Sequence, residues 1–108
     1  AWGALLERKG WVVTRARDGE EAWRLFQQST HGWAVVLTDL TMPKLDGIGL
    51  AQRIRTTVSP PPIVLMSGNV SADDAAHLIE TDFVAVLHKP MDADELNEVL
   101  NSATASNA

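Results

Sequence analysis

WAVVLTDLTMPKLDG, residues Trp33 to Gly47, is the stretch on which the reading of this chain turns. Trp33 to Thr38 is an almost wholly apolar run rich in β-branched residues, the pattern of a buried strand. It ends on a carboxylate, Asp39. A short loop bent by Met42-Pro43 follows and closes on Asp46-Gly47, where Asp46 is a natural helix N-cap. An acid at the carboxyl end of a buried strand lies where open α/β sheets hold their ligands. A lone Asp there also serves as a turn former or cap, so the rest of the chain has to decide its role.

Working outward, the same alternation recurs. On the amino-terminal side, Trp2, Leu5 and Leu6 fall at helical spacing, with Gly10 placed as a C-cap. Trp11 to Ala16 reads as a short strand. Asp18 then opens a helix with Glu21 three residues on, which carries Ala22, Leu25 and Phe26 on one face and Trp23 at its boundary. On the carboxyl-terminal side, a helix over 47–57 bears Leu50, Ile54 and Val58 on one face, and Pro60 to Pro62 end it and feed a strand, Ile63 to Met66. Ser71 to Asp74 opens another helix. Phe83 to Leu87 reads as the next strand, and Asp92 with Glu95 starts a last helix carrying Leu96, Val99, Leu100 and Ala103. Strict alternation of helices and apolar strands predicts an α/β fold, a doubly wound parallel sheet covered by helices on both faces.

With 108 residues the chain makes one domain, expected over 1–102, with 103–108 a frayed tail or linker. A hydrophobic share of 45% against 21% charged residues is that of a soluble globular protein. A net charge of −5 argues against a nucleic-acid-binding surface. The absence of cysteine leaves no disulfide framework and no Cys-based zinc site. No apolar run approaches the ~20 residues of a membrane span, and no secretory leader pattern is present. The expected location is cytoplasmic.

Three strands end on Asp39, Ser67 and Lys89. In a parallel sheet those ends share an edge, and strands about 4.8 Å apart bring a carboxylate, a hydroxyl and an ammonium around one small anion. A Lys near an Asp has two readings, a structural ion pair or a cation that neutralises a charged group the Asp acquires. Phosphoryl chemistry needs the same set: an oxygen nucleophile, a cation, and a donor to a phosphoryl oxygen, with a divalent cation to offset repulsion between carboxylate and phosphate. His31, His77 and His88 have no spacing that suggests a metal site and read as surface or strand-end residues.

The D-L-T-M-P-K-L-D-G of Asp39 to Gly47, the M-S-G of Met66 to Gly68 and the L-H-K-P of Leu87 to Pro90 resemble the receiver domain of two-component response regulators. The likeness covers essentially the whole chain. It implies a flavodoxin-like, CheY-like three-layer αβα fold with strand order 2-1-3-4-5. It also implies that Asp39 is the phosphoacceptor, that Ser67 and Lys89 stabilise the phosphoryl group, and that Asp39 and the backbone carbonyl of Thr41 contribute to a Mg2+ site. Pro90 would be a cis-proline turn aiming Lys89, and Asn69 and Thr41 would sit where the family tunes phosphate lifetime. The implied partner is a histidine kinase or phosphotransfer domain. The wording of VLMSG and VLHKPMDADEL is similar to receivers of hybrid sensor histidine kinases, so the chain could belong to a kinase polypeptide while not being an enzyme alone.

Two departures qualify the resemblance. Family members begin with a strand ending in an acidic pair that supplies most magnesium ligands, whereas this sequence starts in the helix after it. Without that strand, Trp11–Ala16 and Trp33–Thr38 would lie about 9.6 Å apart, twice the strand spacing, with unpaired backbone between them. A truncated sequence, a strand supplied by a neighbouring chain through homodimer formation or strand exchange, or a rearranged fold is therefore expected, and magnesium binding is expected to be impaired. Second, Val86 occupies the usual aromatic position three residues before the lysine. The competing expectations are a pseudo-receiver that takes no phosphate and a haloacid dehalogenase-type phosphohydrolase. The latter needs a second Asp where Thr41 stands, and so is disfavoured.

Overall fold

Three parallel strands carry the strand-end residues: β1 (Val36–Asp39), β2 (Ile63–Ser67) and β3 (Ala85–His88), in the order β1-β2-β3. The structure, a computed structural model, describes residues 2–28, 32–39, 45–57, 59–68, 74, 77, 83–89 and 91–106. Register runs Val36 to Ile63 and Asp39 to Met66 between the first two strands, and Val64 to Ala85 and Ser67 to His88 between the second and third. All five residues of β2 are buried, as a strand flanked by parallel neighbours and covered on both faces requires.

Helices α1 (Trp2–Arg8), α2 (Gly19–Gln28), α3 (Gly47–Arg55) and α4 (Ala93–Ser106) cover the sheet. Side chains of β2 alternate between the layers. Val64 and Met66 join Leu6, Leu96 and Leu100 in one cluster, under α1 and α4. Ile63 and Leu65 join Leu50, Ile54 and Phe83 in the other, with Ala22 and Phe26 of α2 packed against it. The result is the expected doubly wound, three-layer α/β arrangement.

The caps read from sequence are formed. Carboxylates of Asp18, Asp46 and Asp92 accept from the backbone N–H groups of Glu21 (2.8 Å), Gly49 (2.8 Å) and Glu95 (2.7 Å). Gly10 ends α1 with φ of 102°, the left-handed conformation that favours glycine. At Gly19 a Cβ would come within 1.7 Å of the Leu45 carbonyl oxygen, so only glycine lets the start of α2 approach the segment leading into α3.

Several expectations are corrected. Trp11–Ala16 forms no regular strand and is not part of the three-stranded sheet, and Val12 is 99% exposed. β-forming side chains do not make a strand when no neighbouring strand takes up the backbone hydrogen bonds. The first predicted sheet strand is shifted from 33–38 to Val36–Asp39 because Trp33 belongs to the cover. Its indole N–H donates to the Phe26 carbonyl (3.0 Å) and its ring stacks on Phe26 with centroids 6.5 Å apart. The last helix continues through residues 103–106, expected to be frayed, because Ala103 is buried in the α1/α4 cluster. Helix α3 ends at Arg55, two residues earlier than read, and β3 spans 85–88 rather than 83–87. Of the helix expected from residue 71, Asp74 and His77 are helical; its other residues lie outside the described ones.

Candidate functional site

Each site residue is placed by the end of a strand. Asp39 closes β1, Ser67 closes β2, and Lys89 follows the last residue of β3. Because all three strands are parallel and adjacent, these positions share one edge of the sheet. Two contacts of Lys89 tie the edge together. Its backbone N–H donates to the carbonyl oxygen of Ser67 (2.9 Å), fixing the start of the post-β3 segment against β2. Its ammonium forms a hydrogen-bonded ion pair with Asp39 Oδ2, spanning from β3 across to β1.

The two charged groups are partly exposed, with 35% of the Asp39 side chain and 39% of the Lys89 side chain accessible. A carboxylate so placed is reachable by a reactant from solution while keeping its counter-charge. Ser67 is buried, at 4% exposure. Thr38, which the sequence reading did not single out, is also buried, and its hydroxyl donates to the backbone carbonyl of Asp39 (3.1 Å). In sequence it reads as one more β-former, so nothing local marks this contact.

The remaining expected residues divide. Val86 is half-buried and packs against the Leu65 and Phe83 cluster. Asp46 is the N-cap of α3. His77 and His88 are exposed, as read. Thr41, Asn69, Pro90 and His31 lie outside the described residues.

Chemically, the edge offers an oxygen nucleophile, a cation that neutralises added negative charge, and a hydroxyl on the intervening strand. It offers a divalent cation less. Among the described residues no three His, Cys, Asp or Glu side chains group so as to hold a metal. Asp39 is the carboxylate at the edge, and it is paired with Lys89. A hard cation takes at least about six oxygen ligands, so the described residues alone do not fit a magnesium site, and no step is derived through the metal.

Asp, Ser and Lys at three adjacent strand ends of a parallel sheet define a polar strand-end site on a doubly wound fold. The comparisons narrow this class. The sequence profile of the response regulator receiver domain matches residues 1–101, and the chain belongs to that family. It is 38% identical over 89 residues to the gliding motility regulatory protein of Myxococcus xanthus, a match covering 81% of this chain and 11% of that protein. The chain thus spans only a small part of this curated relative. Among solved structures it is similar to the receiver domain of the Francisella response regulator 1452, with a TM-score of 0.88, 27% identity, and coverage of 99% of this chain and 87% of that one. It is also similar to the receiver domain of sensor histidine kinase PA1611 from Pseudomonas aeruginosa, described with a magnesium ion coordinated in the active-site cleft. There the TM-score is 0.81 and the identity 26%, over 94% of this chain and 84% of that one. Among the described residues no helix is long and apolar enough to cross a membrane.

Proposed function

We propose that this receiver domain is a phosphoacceptor in a two-component phosphorelay, with Asp39 the accepting residue. The observation that carries the reading is the pairing of Lys89 with Asp39 on an edge that also presents Ser67. A carboxylate oxygen of Asp39 attacks the phosphorus of a phosphohistidine on a histidine kinase or phosphotransfer domain. The P–N bond breaks, its electron pair returns to the imidazole, and an acyl phosphate forms on Asp39. The added charge is then opposed by the Lys89 ammonium, and the Ser67 hydroxyl donates to a phosphoryl oxygen. Asn69 and Thr41 tune the lifetime of the phosphate, and Pro90 aims Lys89. With Val86 in place of an aromatic residue, the response travels through Ser67 and the segment after it. Magnesium would be the cofactor, with Asp39 and the backbone carbonyl of Thr41 contributing to its site and binding impaired in this chain. The domain works in the cytoplasm, as part of a larger regulator or of a hybrid sensor kinase.

The test is incubation with acetyl phosphate or a phosphorylated kinase domain, with and without magnesium, read by intact mass. A gain of one phosphoryl group that Asp39→Asn abolishes is expected. No gain from either donor, or an undiminished gain in Asp39→Asn, overturns the reading. A pseudo-receiver that binds partners without taking phosphate is the second reading. In that reading the Lys89–Asp39 ion pair is structural and holds the strand ends together.

A further inference from the structure

In the run from Trp33 to Thr38 the one residue that is not apolar stands directly before the strand-end carboxylate. Thr38 is 4% exposed, and it and Ser67 are the buried polar side chains among the described residues. Burying a hydroxyl costs free energy unless it finds a hydrogen-bond partner. Valine, close to threonine in shape and equally at home in a strand, would carry no such cost. Thr38 lies on the same face of β1 as Val36, toward the side of the sheet where Leu50, Ile54 and Leu65 pack. Packing alone gives a hydroxyl no use on that side.

Its use lies in the next peptide. The Thr38 hydroxyl donates to the carbonyl oxygen of Asp39 (3.1 Å). Thr38 is itself in register with Leu65 of the fully buried β2. The side chain therefore links the part of β1 held by the central strand to the peptide by which the chain leaves Asp39. The direction of that carbonyl is the ψ angle of Asp39, one of the two soft dihedrals of the residue. Threonine is β-branched and stiff at χ1, so a hydroxyl already bonded leaves ψ little slack. Asp39 is thus fixed on its amino side by the strand and on its carboxyl side by Thr38, where its carboxylate meets Lys89. Lys89 is fixed in turn by the bond from its N–H to the Ser67 carbonyl (2.9 Å).

From this arrangement we infer that Thr38 is a positioning residue of the strand-end site, whose buried hydroxyl acts through the Asp39 carbonyl to aim the Asp39 carboxylate at Lys89 and at the incoming phosphoryl group. Thr38 does not touch the phosphoryl group itself. The inference deepens the phosphoacceptor reading and rests on it for a rate, while the ion pair supplies a readout that needs no phosphoryl donor.

The test compares three forms of the 108-residue chain: wild type, Thr38→Val, which keeps the shape and drops the hydroxyl, and Thr38→Ser, which keeps the hydroxyl. Phosphoryl gain from acetyl phosphate with magnesium is timed by intact mass, and circular dichroism checks that each variant is folded. Thr38→Val should be slowed about ten-fold and Thr38→Ser at most about two-fold, against the roughly 100-fold that a full misplacement of a reacting group can cost. Thr38→Val at the wild-type rate overturns the inference. So does Thr38→Ser slowed as much as Thr38→Val, since shape and not the hydroxyl then matters. A wild type that gains no phosphate removes the phosphoacceptor reading, and the ion pair then decides the role of Thr38. The coupling of Asp39 to Lys89, from a double-mutant cycle repeated in Thr38→Val, should be lost. A coupling undiminished in Thr38→Val, or absent from wild type, overturns the inference. Should Thr38→Val not fold, the wild type decides by NMR: the bonded Thr38 hydroxyl gives a slowly exchanging proton line, and its absence overturns the inference.

Discussion

Removing the charge of Asp39 and of Lys89, separately and together, tests the contact on which the strand-end site is built. The pair joins β1 to the end of β3 across β2, with each side chain between a third and two-fifths exposed. At about 4 Å, two unit charges attract by about 1 kcal/mol in water and about 4 kcal/mol at the effective dielectric near a protein surface. Partial exposure places this pair between those limits, and partial desolvation with side-chain ordering subtracts from the gain. Exposed pairs measured by double-mutant cycles fall at about 0.2–1 kcal/mol. Because the Lys89 backbone is already fixed to the Ser67 carbonyl, less ordering remains to be paid for, and a coupling of about 1 kcal/mol is expected. The cycle comprises wild type, Asp39→Asn, Lys89→Met and the double variant, followed by denaturant unfolding at low salt. For a domain of this size the coupling corresponds to about 4 °C in melting temperature. It should shrink in 1 M salt, where the screening length falls to about 3 Å. A low-salt coupling below about 0.3 kcal/mol, the scatter of independent sites, would refute the argument that the two groups act as one unit.

Three further outcomes follow from the packing and the caps. Leu65 is fully buried in the central strand, so Leu65→Ala should cost about 2–5 kcal/mol in denaturant unfolding, far more than any substitution at exposed Val12. Asp46→Ala removes the acceptor of the Gly49 N–H and should cost about 1 kcal/mol, with Asp46→Asn recovering most of it, both measured by thermal melting. Glu21 is held below its ordinary carboxylate value first by the Arg17 backbone N–H and then by the Arg17 guanidinium. A carboxyl depressed in the folded state stabilises at higher pH and loses that contribution as the pH falls through its folded value. Wild type should therefore lose melting temperature more steeply than Glu21→Gln as the pH drops below 4.5, the group's ordinary value.

What could be read from the sequence was whatever local chemistry decides. The β2 run Ile63–Ser67 is apolar enough to be a buried strand in any α/β context, and Asp18, Asp46 and Asp92 cap helices through their own side chains. Asp39, Ser67 and Lys89 could be brought to one edge from element order alone, since parallel strands must end together. Features that depend on a neighbour were less legible. Trp11–Ala16 has the composition of a strand but no partner in this sheet, and only the strand order implied by the family resemblance, not its composition, pointed to that. Trp33 looks like the first residue of a strand until Phe26 offers both a carbonyl and a ring face. Ala103 looks like the start of a small-residue tail, yet small size is what lets the end of α4 lie close against its cluster.

The geometry also bears on how a change at Asp39 would be felt elsewhere. The carboxylate meets the residue that follows β3 through the Lys89 ammonium, a contact at the tip of a four-carbon side chain. Lys89 is nonetheless anchored at its backbone to Ser67, directly after His88. A charge added at Asp39 acts on that ammonium, and a shift of the Lys89 backbone would have to break or carry the Ser67 carbonyl contact with it. The two strands downstream of Asp39 are thus coupled at their ends by one residue. In β3 the next link inward is Val86, which packs on the buried Phe83 and Leu65 cluster. A side chain of that size, stiff at χ1, has no ring to swing and little freedom to relay a signal by changing rotamer. A displacement of the Lys89 backbone would therefore act first on its contact with the Ser67 carbonyl and, through the β2–β3 pairing, on the buried central strand.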